Sequence, residues 1–166
     1  MIAVIDYGMG NLRSVEKAFE FLGFAAKIVD APEQVAKATH LVLPGDAAFG
    51  DAMRNLRAAD WDQAIADGIA AEKPFLGICV GMQILFTESI EFGHVRGLDI
   101  LKGTVVRFEP EAVQGQKIPH MGWNRVRFKK NIALFDCIPD ESYFYFVHSY
   151  YVVPENQDTV ATITNY

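Results

Sequence analysis

This sequence predicts an α/β fold with a mostly parallel sheet covered on both faces, and three features predict it. Short β-branched, apolar runs alternate with amphipathic helical stretches through the first half; strand–helix–strand units of that kind build parallel sheets. These runs are apolar at nearly every position rather than at every second one, the pattern of strands buried on both faces. The second half carries longer β-rich runs divided by turns, which read as hairpin-type antiparallel pairing.

In order along the chain, Ile2 to Asp6 reads as a strand and Gly8-Met9-Gly10-Asn11 as a Gly-rich turn. A helix from about Leu12 to Leu22 carries Val15, Ala18, Phe19 and Leu22 at helical spacing, with Gly23 at its C-cap. Ala26 to Val29 and Leu41 to Leu43 are the next strands, the latter ending at Pro44-Gly45. Helical patterns cover about Phe49 to Leu56 and Trp61 to Ala71. Phe75 to Ile78 is an apolar strand running through Cys79 into a predicted helix from about Val80 to Thr87. Gly103 to Phe108, Asn124 to Phe128, Tyr143 to Tyr151 and Val160 to Ile163 are the later strands. No repeat, linker or low-complexity segment divides residues 1–166, which read as a single domain.

Composition narrows the function. The 166 residues are 51% hydrophobic and 22% charged, ordinary values for a globular chain. With 15 basic and 21 acidic side chains the net charge is −6, which argues against nucleic acid or an anionic membrane as partner. Apolar runs fall well short of the ~20 residues a membrane helix needs. Two cysteines, Cys79 and Cys137, give no disulfide framework and suit a reducing cytoplasm. No metal or cofactor is expected.

The stretch Gly77-Ile78-Cys79-Val80-Gly81 has the form of a nucleophile elbow, set between an apolar strand and a helix. A tight strand-to-helix turn strains the backbone of the nucleophile, so its neighbours must lack bulk, and Gly77 and Gly81 supply the room. A thiol there projects at a helix N-terminus, where the dipole and free amides favour thiolate. The Val80 amide would point at the place where a tetrahedral oxyanion forms. Residues alone leave a second reading open, a buried structural cysteine at a strand end. Cys137 has no such setting and reads as packing. Gly45 and Asp46, at the end of another parallel strand, lie on the same sheet edge and could complete an oxyanion hole.

The segment Pro74-Phe75-Leu76-Gly77-Ile78-Cys79-Val80-Gly81-Met82-Gln83 resembles the signature of class I (triad) glutamine amidotransferases. Ile5-Asp6-Tyr7-Gly8-Met9-Gly10-Asn11-Leu12, Pro119-His120-Met121-Gly122-Trp123-Asn124 and Tyr145-Phe146-Val147-His148-Ser149-Tyr150 resemble one subfamily, the glutaminase subunits of imidazole glycerol phosphate synthase. The resemblance implies the three-layer fold of class I glutamine amidotransferases. It implies attack by Cys79 on L-glutamine through a thioester, with ammonia channelled to a (β/α)8-barrel cyclase subunit in histidine biosynthesis. It further implies an oxyanion site at Val80, Gly45 and Asp46, glutamine contacts at Gln83, Ser149 and Tyr150, and a synthase-facing surface at Asn11, Met121, Trp123 and Asn124.

Two departures from the family pattern follow. Pro44-Gly45-Asp46-Ala47 stands where the family has Pro-Gly-Val-Gly, which removes freedom at Ala47 and puts the Asp46 carboxylate near a developing negative charge. The loop is expected still to work through the Asp46 amide. In addition, nothing matches the family's C-terminal Phe-His-Pro-Glu segment, which carries the general base and its orienting Glu. The expectation is a chain lacking its C-terminal elements, prone to aggregate through an open sheet edge, and nearly inactive, because general-base help is worth about 10²–10⁴-fold. A scaffold that only binds the synthase, the glutaminase of another amidotransferase, and a thiol chaperone or peptidase are the competing readings.

Overall fold

The computed structural model describes residues 1–110, 113 and 115–166. Strands β1 (Ile2–Ile5), β2 (Ala26–Val29), β3 (His40–Leu43) and β4 (Phe75–Gly77) form a parallel sheet in the order β2-β1-β3-β4. The two-residue period of a strand sorts the side chains onto two faces. On one, Val4 and Val42 pack with Leu12, Val15 and Phe19 of α1 (Leu12–Phe21). On the other, Ala3, Ile5, Leu41 and Leu43 meet Phe49, Ala52, Met53 and Leu56 of α2 (Phe49–Ala58) and Trp61 and Ile65 of α3 (Trp61–Ala70). Helices on both faces of a parallel sheet make the three layers predicted.

Local chemistry ends these helices where the sequence expects. The Asn11 side chain accepts from the Ser14 amide at 3.3 Å and caps α1. At the other end Gly23 takes φ +85°, and the Gly23 and Phe24 amides donate to the carbonyls of Glu20 and Phe19. Helix α2 begins at Ala48, which has no capping side chain. Its first amide, on Phe49, instead donates to the Glu91 carboxylate at 2.7 Å. A charged cap borrowed from 42 residues away holds the helix start, a contribution of about 1 kcal/mol.

The elbow helix departs from expectation. Helix α4 covers only Val80–Gln83 rather than reaching Thr87, and Phe86–Ser89 is strand β5, which takes in the expected end of the helix at Phe86 and Thr87. The apolar run Ile84-Leu85-Phe86 fits either state by pattern, and long-range partners decide it. The carbonyls of Ile84 and Leu85 accept the amides of Leu98, Ile100 and Leu101, so they are not free to extend a helix.

β5 lies in a second sheet with β6 (Val95–Arg96), β7 (Leu101–Arg107) and β11 (Tyr150–Pro154), ordered β11-β7-β5-β6. Its pairing with β7 is parallel, contrary to the all-antiparallel expectation for this half. β5 and β6 pair antiparallel as a hairpin, while the other antiparallel pairs join partners farther apart along the chain. β8 (His120–Arg125) pairs with β10 (Tyr143–His148), β7 with β11, and β9 (Arg127–Phe128) with β12 (Thr162–Ile163). The run predicted as one strand from Tyr143 to Tyr151 breaks at Ser149, with β10 in one sheet and β11 in another. Among the described residues no helix is long and apolar enough to cross a membrane.

Candidate active site

Cys79 sits between β4 and α4 with φ 54° and ψ −119°, a conformation that costs a non-glycine residue on the order of 1–3 kcal/mol. The surroundings enforce it. A Cβ on Gly81 would lie 1.8 Å from the Leu43 carbonyl oxygen, and one on Gly77 would lie 2.6 Å from Met82 Cα. The Ile78 amide donates to that same Leu43 carbonyl at 3.0 Å, tying the elbow to the end of β3. After the bend, the Met82 and Gln83 amides close onto the Cys79 carbonyl. Cys79 is exposed as a residue, while its sulfur is partly shielded from water by the atoms packed around the turn.

The loop after β3 packs directly on this turn. A Cβ on Gly45 would sit 2.7 Å from the Gly81 amide nitrogen and 3.0 Å from Val80 Cβ. Two bonds fix the loop from the β1 side. The buried Tyr7 hydroxyl donates to the Pro44 carbonyl at 2.9 Å, and the Gly10 amide donates to the Asp46 carboxylate at 2.9 Å. Cys79, Val80, Gly45 and Asp46 thus form one cluster, with Tyr7 and Gly10 added to those picked from sequence. The sequence held a sign of the two additions, since both lie in the Tyr7-Gly8-Met9-Gly10 turn; their partners, 37 and 36 residues on, were not legible.

The electrostatics correct one expectation. The Cys79 thiol is pushed up from its usual pKa, first by desolvation among the loop atoms, with the Asp46 carboxylate adding to the rise and the Val80 amide opposing it. A helix of one turn has too small a dipole to outweigh these, so the resting sulfur is a thiol rather than the expected thiolate. The Tyr7 hydroxyl is also raised, by burial and then by Asp46 and Cys79, and remains a donor. Among the described residues no imidazole hydrogen-bonds to the Cys79 sulfur. Because alkylation needs thiolate, iodoacetamide should modify Cys79 more slowly at neutral pH than it modifies an unstructured cysteine peptide. Its rate should keep climbing at pH values where the peptide has levelled off. Asp46→Asn keeps an acceptor for Gly10 and removes the like charge, so the pH profile should move to lower pH. A profile matching the peptide's would contradict the desolvated thiol.

Gln83 and Tyr150, distant in sequence, meet in space. Gln83 is buried, and its Nε2 donates to the Tyr150 carbonyl at 3.3 Å. Ser149 lies beside Tyr150, at the crossing from β10 to β11. Met121 and Trp123 are 61% and 69% exposed on one face of β8, opposite Val147 and Tyr145 of β10. Trp123 and Tyr145 meet edge to face at 5.7 Å. Asn124 falls on the other face of β8, where its side chain bonds inward to His120 and Asn165. Asn11 is exposed, with its side-chain oxygen engaged in capping α1.

The chain matches the family described as glutamine amidotransferase class-I over residues 3–166. It is 50% identical over 170 residues to imidazole glycerol phosphate synthase subunit HisH of Syntrophotalea carbinolica, covering 100% of this chain and 82% of that one. It is 51% identical over 164 residues to the subunit of the same name from Aquifex aeolicus, covering 98% and 77%. The fold resembles that of PurLQS from Thermotoga maritima, with TM-score 0.72, 20% identity, and 98% and 73% coverage. It also resembles a crystal structure of a glutamine amidotransferase, with TM-score 0.69, 15% identity, and 94% and 75% coverage. Those two likenesses speak to fold, and the half-identical relatives to family. The chain therefore belongs to the class-I glutamine amidotransferases, in the family of HisH subunits of imidazole glycerol phosphate synthase.

Proposed function

We propose that this chain is the glutaminase subunit of an imidazole glycerol phosphate synthase, with Cys79 as nucleophile. The strained elbow at Cys79, backed by the Gly45 loop, is the observation that supports it most directly. Glutamine lies with its side-chain amide at the sulfur and its other end toward Gln83, Ser149 and Tyr150. The thiolate adds to the amide carbon, and the oxyanion is met by the Val80 amide and the Gly45–Asp46 backbone. Collapse breaks the C–N bond, the leaving nitrogen takes up the proton given up by the thiol, and ammonia departs from a thioester that water hydrolyses to glutamate and free thiol. The ammonia passes to a (β/α)8-barrel cyclase subunit docked on the exposed face of β8 and β10, in the cytoplasm.

Chemistry also sets the rate. A desolvated thiol with no hydrogen-bonded imidazole among the described residues is a slow nucleophile, so these 166 residues by themselves turn glutamine over negligibly. They bind the substrate more readily than they consume it. The test is alkylation of Cys79 followed by peptide mass spectrometry, with and without L-glutamine. Glutamine should slow alkylation of Cys79 and leave Cys137 untouched. Equal rates with and without glutamine would remove the substrate assignment. Glutamate release measured with the barrel subunit present separates a slow glutaminase from a scaffold that only binds the synthase.

A further inference from the structure

Behind the proposed glutamine site, polar groups form an unbroken chain that the reaction above does not use. Asn124 Nδ2 lies 3.3 Å from His120 Nε2, and His120 Nδ1 lies 3.2 Å from His148 Nε2. His148 Nδ1 lies 2.8 Å from the Tyr150 carbonyl oxygen, the acceptor that Gln83 Nε2 also reaches.

Both ends of this chain fix its direction. Asn124 Oδ1 accepts from the Arg125 amide at 2.8 Å, and Nδ2 donates to the Asn165 carbonyl at 2.9 Å. The group turned toward His120 is therefore the NH2, which can only donate. At the far end a carbonyl can only accept. A neutral imidazole has one donor and one acceptor, so a single arrangement satisfies every contact. His120 Nε2 accepts from Asn124, His120 Nδ1–H donates to His148 Nε2, and His148 Nδ1–H donates to Tyr150. Moving either proton to the other nitrogen sets donor against donor or acceptor against acceptor.

The surroundings favour the neutral form of His120. His120 is buried between the rings of Phe146 and Tyr166, with centroids at 4.6 and 3.8 Å. Burial, and then the neighbouring His148, push His120 below the usual histidine range. Among the described residues no carboxylate pairs with either ring.

We propose that His148, locked in its Nδ1–H tautomer by His120, is a positioning residue for the glutamine site. It touches no reacting atom. It staples the crossing from β10 to β11, and with Gln83 it holds the Tyr150 carbonyl from two sides. Those bonds set how Ser149 and Tyr150 are presented to substrate. The inference rests on the glutamine-site reading of Gln83, Ser149 and Tyr150, and its tests separate the two.

Long-range proton–nitrogen NMR spectra of the whole chain should show both His120 and His148 protonated on Nδ1, against the Nε2–H form that free histidine prefers. A dominant Nε2–H signal for His148 would overturn the proposal whether or not glutamine binds. In the second arm, His148→Asn keeps a donor in the place of Nδ1, while His148→Gln moves it to the place of Nε2. Protection of Cys79 by glutamine should stay within about twofold for His148→Asn and weaken roughly tenfold for His148→Gln. Equal loss in both variants would reduce His148 to packing and overturn the proposal. If glutamine fails to protect the unsubstituted chain, the glutamine reading falls, and the positioning role falls with it. The tautomer spectrum still judges the hydrogen-bonded chain separately.

Discussion

Gly81→Ala should cost about 3 kcal/mol of folding stability, the upper end of what overpacking a tight site produces. The added methyl would lie 1.8 Å from the Leu43 carbonyl oxygen and 2.7 Å from its carbon, both backbone atoms of β3. Neither can yield cheaply. β3 is flanked by β1 and β4 in the sheet, and the Leu43 carbonyl also anchors the elbow through Ile78. In urea, with a slope of about 2 kcal/mol/M, the midpoint should fall by about 1.5 M. Reactivity should move the opposite way from a simple loss of function. Opening the elbow rehydrates the thiol, so alkylation at neutral pH should become faster. Gly50→Ala is the control: its added carbon would meet nothing nearer than 3.6 Å, and it lies in α2. Removing a helical glycine there should be neutral or stabilising. Equal midpoints for the two variants would show that the close approach at Gly81 is not what shapes the turn.

Trp123→Ala should separate association from folding. The indole is 69% exposed and touches Tyr145 edge to face, so truncation leaves no cavity and should shift stability by no more than ~0.5 kcal/mol. With Met121, Tyr143, Tyr145 and Val147, all more than half exposed, it forms an apolar face across β8 and β10. Exposed patches of this kind mark interaction sites. A tryptophan at the centre of an interface is typically worth at least 2 kcal/mol, so affinity for the barrel subunit should drop by about 30-fold or more. Titration calorimetry with purified barrel subunit reads this directly. A change within about twofold would put the partner surface elsewhere.

The parallel half of the fold was legible because each element announces itself locally. Apolar runs marked β1 to β4, Gly23 marked the end of α1, and two glycines framed Cys79. What was not legible depends on partners far along the chain. Residues 82–86 carry a helix-compatible apolar pattern, and only the carbonyl contacts with Leu98 to Leu101 turn the chain into β5. The Glu91 cap, the Asp46–Gly10 bond and the His120–His148 contact join residues 42, 36 and 28 positions apart, with no periodicity linking them. The thiol was misjudged for a related reason. An elbow motif names the amides that lower its pKa, whereas desolvation and the Asp46 charge come from a loop elsewhere in the sequence.

Strand β8 serves two clients at once. Met121, Trp123 and Arg125 look outward, while His120 and Asn124 look inward to the histidine chain. Because alternation is strictly two-fold, inserting or deleting one residue in this strand would exchange the two sets wholesale. On the proposed reading, partner docking and substrate positioning are therefore bound to the same count of peptide units: side chains on either face can drift, but the length of the strand cannot change without scrambling both.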